Sequence, residues 1–176
     1  EVELVFDDKE LDLSTRQADI GIFMRRPKKL NYIQRKLIDI NYHIYGSSKY
    51  LEKYGMPKSI NDLNKHKFIS FGKGAPSPVY NPDWALKIGM KDSGRRKSIM
   101  KVNSVMGLLL AVESGVGLAA LPDYLVFQSN NLIKVLPKVE GPITEAHFVY
   151  PQSLKNVARV QAFRNFLFSK ISEWKF

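Results

Sequence analysis

Gly115-Val116-Gly117-Leu118-Ala119-Ala120 fits the G-x-G-x-x-A string that lets a backbone pass close under a dinucleotide pyrophosphate. That chemistry needs a strand before the string and a helix start after it, so that helix amides meet the phosphates. Here the order is reversed: an apolar helical run stops at Gly115 and a strand follows. Gly115 is therefore expected to end a helix, and Gly117 to allow close backbone packing. Gly72-Lys73-Gly74 lacks the spacing and the hydroxyl residue of a phosphate loop. His43, His66 and His147 form no i, i+4 ligand pair, and no cysteine exists to supply a thiolate. Ser48-Lys49 and Lys87 read as surface residues rather than a serine–lysine pair, and no G-x-S-x-G elbow is present. Asp7, Asp8, Glu10 and Asp12 cluster, as acidic side chains in a solvated loop commonly do. None of these residues makes a catalytic, metal or cofactor site that the spacing would support.

The elements that would carry these residues follow from periodicity and punctuation. Val2–Phe6 alternates as a strand, Leu11 to Gln17 holds a short helical turn, and Ile20–Phe23 forms a compact strand closed by Arg25-Arg26-Pro27. Leu37–Tyr45 reads as one long strand. Ser47 or Ser48 caps a helix that stops at Gly55, and Ser59 caps a turn before the strand Phe68–Phe71. Residues 72–83, with two glycines and three prolines, form a loop. Trp84–Ile88 and Arg96–Val102 suggest a hairpin around Lys91-Asp92-Ser93-Gly94. Asn103-Ser104 caps a helix so apolar that burial on both sides is expected. Val116–Leu121 then reads as a central strand stopped by Pro122, followed by a short helix at Asp123–Phe127 and strands at Leu132–Leu136 and Ala146–Tyr150. A last helix aligns Val157, Val160, Phe163, Leu167, Ile171 and Trp174. Alternating strands and helices predict an α/β fold with mainly parallel sheets.

Charge is uneven along the 176 residues. Residues 1–24 carry 2 basic and 7 acidic side chains, residues 25–101 carry 18 and 5, and residues 102–176 carry 7 and 5. The basic middle could attract an acidic partner, but no zinc finger, basic zipper or RNA-recognition signature accompanies it. A lysine-rich solvated surface is the plainer reading, and no sequence-specific DNA binding is expected of this chain. The densest apolar run, Leu108–Val112, meets Glu113 at once, far short of the roughly 18 residues a membrane span needs. Absence of cysteine suits a cytoplasmic protein.

Several motifs, in this order, resemble the effector-binding domain of LysR-type transcriptional regulators along almost the whole chain. They are Asp12-Leu13 with Ala18-Asp19-Ile20-Gly21-Ile22; Ser47-Ser48-Lys49-Tyr50-Leu51 with Gly55-Met56-Pro57 and Asp62-Leu63-x-x-His66; Trp84 after the loop; Val102-Asn103-Ser104 with Ala111-Val112-x-x-Gly115-x-Gly117-Leu118-Ala119-x-Leu121-Pro122; and Val149-Tyr150-Pro151 with Val157, Val160, Ala162 and Phe163. The resemblance implies an α/β, type II periplasmic-binding-protein-like fold of two lobes joined by crossing strands. Residues 1–40 with 143–176 would form the first lobe, and 41–142 the second. It further implies a small effector in the interlobe cleft, a homo-oligomer, and DNA contact only through a helix-turn-helix outside this sequence. The family's opening strand and helix also lie outside it, so the first lobe's sheet is expected to be incomplete, with a gap between Val2–Phe6 and Ile20–Phe23. A free-standing solute-binding protein of the same fold is the alternative, and an enzyme on this fold the third.

The candidate ligand-binding residues combine that cleft with helix physics. The first amides of the helix beginning at Ser104 suit a carboxylate or another anion, with Asn103, Ser104 and Val105 at its start. The same hydroxyl could merely cap the helix, and the two roles can coexist. Across the cleft stand Arg25, Asp7 and Asp8, and Phe71 could form an apolar wall. Arg25 would favour an acidic effector, whereas the two aspartates would resist it.

Overall fold

A computed structural model describes residues 1–6, 11–15, 17–28, 30–72, 81–127 and 129–174. In chain order the elements are a 3-10 turn at Leu13–Thr15, β1 (Gly21–Phe23), β2 (Tyr32–Ile40), β3 (Tyr42–Ser47), α1 (Ser48–Tyr54) and a second 3-10 turn at Ile60–Lys65. They continue with β4 (Phe68–Phe71), α2 (Trp84–Lys87), β5 (Ser98–Val102), α3 (Val105–Glu113), β6 (Ala119–Pro122), α4 (Asp123–Val126) and β7 (Leu132–Val135). The chain ends with β8 (Thr144–Pro151), a 3-10 turn at Gln152–Leu154, and α5 (Ala158–Ser172). Two compact units result: Glu1–Asp39 with Thr144–Phe176, and Ile40–Ile143.

In the first unit, β8 lies between β1 and β2, antiparallel to β1 with Ile22 opposite Phe148. Successive side chains of β8 serve two cores, as strand alternation requires. Val149 packs with Leu13, Phe23 and Tyr32, whereas Phe148 and Tyr150 pack with Val160, Phe163 and Leu167 of α5. Asp12, one of the clustered acids, accepts from the Ser14 amide at 3.0 Å and from Tyr32 Oη at 2.8 Å, which ties the first turn to β2.

In the second unit, β3 is flanked by β6 and β7, both antiparallel to it. β4 and β5 pair in parallel, and a parallel bridge between Phe68 and Leu118 links that pair to the start of β6. The α3 helix packs on the sheet through Leu108, Leu109 and Val112, against Tyr45, Ile69, Leu121 and Val126. The serine caps form as read: Ser47 Oγ accepts from the Tyr50 amide, and Ser59 and Asp62 build a reciprocal capping box. Gly115 takes φ +78° beyond α3, and a Cβ on Gly117 would meet Lys67 O at 2.6 Å. Both glycines therefore have the structural roles expected of them. No helix among the described residues is long and apolar enough to cross a membrane.

Several local expectations are corrected. Residues 1–6 form no strand, and Phe6 is 92% exposed; alternation alone cannot hold a strand that no neighbour pairs. The strand expected at Leu37–Tyr45 is two strands broken at Asn41, whose carbonyl accepts from the Asp123 amide at 3.0 Å. No hairpin joins Trp84–Ile88 to Arg96–Val102. Trp84, Ala85 and Leu86 are consecutively buried, which suits a helical turn and not an alternating strand, and β5 pairs with β4 instead. The sheets are not mainly parallel: β1–β8, β3–β6 and β3–β7 are antiparallel. The α3 helix is not buried on both sides, since Met106 is 52% and Leu110 58% exposed. An all-apolar helix conceals which face meets the sheet. The stripe of α5 packs through Val157, Val160, Phe163 and Leu167, but Trp174 is 52% exposed beyond the helix end.

Candidate functional site

The second unit holds a pocket built where β3, β4, β6, α2 and α3 come together. Its described lining includes Tyr42, Phe68, Ser70, Phe71 and Trp84, with Val105 and Leu108 from α3. Small-molecule sites are mostly apolar, with a few placed polar groups. No Lys, Arg, His, Asp or Glu is in the described lining. Ser70 donates its hydroxyl proton to Ser98 Oγ at 2.9 Å, so it faces the pocket chiefly as an acceptor. The indole Nε1 of Trp84 is buried and has no hydrogen-bond partner among the described residues.

The expected site residues divide. Phe71 and Val105 line this pocket together. The Gly72 amide donates to Val102 O at 2.9 Å, which ties the end of β4 to the strand leading into Asn103. Asn103 and Ser104 are exposed beside the pocket wall, and Ser104 Oγ accepts from the Gly107 amide at 3.3 Å as an N-cap. Ser104 therefore does cap the helix. Arg25 lies in the first unit, exposed, just after β1. Asp7 and Asp8 lie outside the described residues.

Sequence reading missed two polar centres in the same unit. The first joins four residues distant in the chain. His43 Nδ1 lies 2.8 Å from Asp123 Oδ1, Tyr45 Oη donates to that oxygen at 2.8 Å, and Lys134 Nζ donates to Oδ2 at 3.0 Å. Burial opposes ionisation of Asp123, but hydrogen bonds from His43, Tyr45 and Lys134 outweigh it and hold the carboxyl below its ordinary value. Burial, then the adjacent carboxylate, pushes the Tyr45 phenol upward, so it remains a donor. The pairing of β3 with β6, Tyr42 opposite Pro122 and His43 opposite Leu121, creates this meeting. No local motif could reveal it.

The second centre is Arg96, which is 7% exposed. Among the described residues its guanidinium donates to neutral oxygens: Asn64 Oδ1 at 2.8 Å, Ala85 O at 3.3 Å, Ile88 O at 2.8 Å and Ile60 O at 3.1 Å. It also stacks 5.9 Å from the ring centre of Phe68. Desolvation lowers its pKa from the ordinary value. Arg96 thus fastens α2, which carries Trp84, to the turn at Ile60–Lys65. The missing signal was the hairpin misreading, which assigned Arg96 to a strand.

Among the described residues no cluster of three His, Cys, Asp or Glu side chains could hold a metal ion. Chemically, the unit presents a preformed apolar recess, fixed by buried polar ties, with a capped helix start at its edge.

Comparison with known proteins points one way. An uncharacterized HTH-type transcriptional regulator of Haemophilus influenzae is 29% identical over 154 residues, spanning 85% of this chain and 52% of that protein. An HTH-type transcriptional regulator of Xanthomonas campestris is 25% identical over 179 residues, 98% of this chain and 51% of that protein. The chain therefore spans about half the length of the curated relatives it matches. The regulatory domain of CrgA from Neisseria meningitidis, a LysR-type transcriptional regulator, shares the fold with a TM-score of 0.74 at 23% identity, over 90% of this chain and 78% of that one. The family described as the LysR substrate binding domain matches residues 1–171. With that match across both units, and with a fold of the type II periplasmic-binding-protein kind, the chain belongs to the LysR substrate-binding domain family.

Proposed function

We propose that this chain is the effector-sensing part of a cytoplasmic LysR-type transcriptional regulator. A small molecule enters the pocket of the second unit at Phe71 and Val105, beside Asn103 and Ser104. The family match over residues 1–171 is the observation that carries this reading. The curated relatives, named as HTH-type regulators, favour it over a free-standing solute-binding protein. In the whole protein, binding would shift an oligomer that holds its promoter through a helix-turn-helix segment; the chain itself performs no catalysis. The two units would act as the two effector-binding lobes of the family.

Two measurements test this. In a gel shift at physiological salt, the purified chain should give no sequence-selective complex with duplex DNA; a selective complex would show that it reads DNA itself. Weak binding that fades steeply with salt is compatible, because phosphate contacts alone produce it. In a thermal-shift screen of small organic molecules, a true effector should raise the melting temperature, and Asn103→Ala with Ser104→Ala should weaken it. Unchanged affinity in that double variant would mean that the helix start is only capped and that the site assignment fails.

A further inference from the structure

We infer that Tyr54 is a nucleophilic modification site, which takes an acyl, sulfonyl or phosphoryl group from a negatively charged donor onto its phenolic oxygen. It is the last residue of α1 and is 40% exposed. Tyr32, Tyr42, Tyr45, Tyr50 and Tyr150 are buried and Tyr124 is half-buried, so Tyr54 is the one open phenol among the described residues. Lys67 Nζ donates to its Oη at 3.3 Å. Lys53 Nζ lies 5.4 Å and Lys67 Nζ 5.3 Å from its ring centre. Two ammonium groups from different segments, α1 and the approach to β4, thus converge on a single exposed phenol. Hydrogen bonding to the charged form of an acid, and cations beside it, both favour ionisation. Lys67 as donor, then the charges of Lys53 and Lys67, accordingly hold the Tyr54 phenol below its ordinary range.

The arrangement is fixed from beneath. Tyr50, one turn earlier on α1, is 1% exposed, and its ring centre stands 4.7 Å from that of Tyr54. Its Oη accepts from the Lys67 amide at 2.8 Å, so a buried side chain holds the backbone from which Lys67 reaches Tyr54. The nearby acid Asp62 is occupied by the Ser59 hydroxyl and by the amides of Lys58 and Ser59. His66, 5.8 Å from the Tyr50 ring, is held below its ordinary pKa by burial and brings little charge of its own. A phenolate attacks where a phenol does not, and a lysine is ordinarily an ammonium at neutral pH, with no lone pair to compete. The same two cations attract an anionic donor to the oxygen they activate.

The test uses the full chain at neutral pH with 4-(fluorosulfonyl)benzoate, an anion, and benzenesulfonyl fluoride, its uncharged counterpart. In the step, a phenolic oxygen lone pair forms an O–S bond to the sulfonyl sulfur. The S–F bond breaks, its electron pair leaves with fluoride, and the phenolic proton passes to water. N-acetyltyrosinamide in the same tube gives the reference rate, and peptide mass spectrometry follows each site over time. With the anion, Tyr54 should be labelled before any other tyrosine or lysine, and faster than the reference. Lys67→Met, checked for folding by its melt, should slow it roughly 1.4- to 5-fold, the range of one exposed charge contact. Lys53→Met with Lys67→Met should slow it further and lower the preference for the anionic over the uncharged reagent. A merely looser fold would expose the phenol and speed labelling, so slowing separates activation from structure. Tyr54 reacting no faster than the reference, Lys53 or Lys67 reacting ahead of it, or an unchanged rate in folded Lys67→Met overturns the inference.

Discussion

Tyr42 and His43 are neighbours on β3, and Pro122 and Asp123 are neighbours where β6 meets α4, yet each pair is divided between two environments. Tyr42 and Pro122 line an apolar pocket, whereas His43 and Asp123 form a buried polar knot with Tyr45 and Lys134. Successive side chains of a strand point to opposite faces, so one short stretch of backbone serves both. The two regions differ in what holds them. The pocket rests on apolar area, which is tolerant of exact geometry. The knot rests on one carboxylate whose partners all depend on it.

The largest expected effect lies in the knot. Asp123→Ala would leave His43, Tyr45 and the Lys134 ammonium without their acceptor, and should cost about 3–5 kcal/mol in urea unfolding. A loss below about 1 kcal/mol would put the knot on the same footing as the pocket and break the comparison. The same carboxylate predicts a pH dependence. Its folded pKa lies below the ordinary 3.8, so its contribution is full above that value and is lost as pH falls through the folded pKa. The stability gap between the native chain and Asp123→Asn should be flat near neutrality and shrink only in this acid window. A gap that already closes near neutrality would show that the Asp123 carboxylate is not the group responsible.

Arg96→Met should cost about 3 kcal/mol, because the carbonyls of Ile60, Ala85 and Ile88 lose a charged donor. This variant should also loosen α2, visible as faster amide exchange at Leu86 and Ile88; unchanged exchange would separate Arg96 from the pocket wall. Leu108→Ala should cost about 2 kcal/mol, the low end for a buried leucine, because Leu108 already borders open space. A cost near 5 kcal/mol would mean that the pocket is a tightly packed core. Ser104→Ala should cost about 1 kcal/mol through loss of the Gly107 cap, with the rest of the fold undisturbed.

Local chemistry was legible in the chain, and meetings between distant segments were not. The caps at Ser47, Ser59 and Ser104, the stop at Gly115 and the close passage at Gly117 depend on a few consecutive residues, so their types alone announce them. The ordered motifs likewise carry the family and its two-unit fold. What tertiary structure decided was direction and company. The polar knot spans residues 43 to 134, and neither a histidine nor an aspartate shows in isolation that they will meet. The exposed face of α3 was hidden because apolar residues fill the whole helix, and only the sheet beneath selects which ones are covered. Trp84 entered the sequence reading as a strand residue; the helical turn that Arg96 fastens makes it part of the pocket wall. Sequence determines what a segment can do by itself. Burial, register and the pairing of buried polar groups depend on contacts between segments, and only the assembled chain settles them.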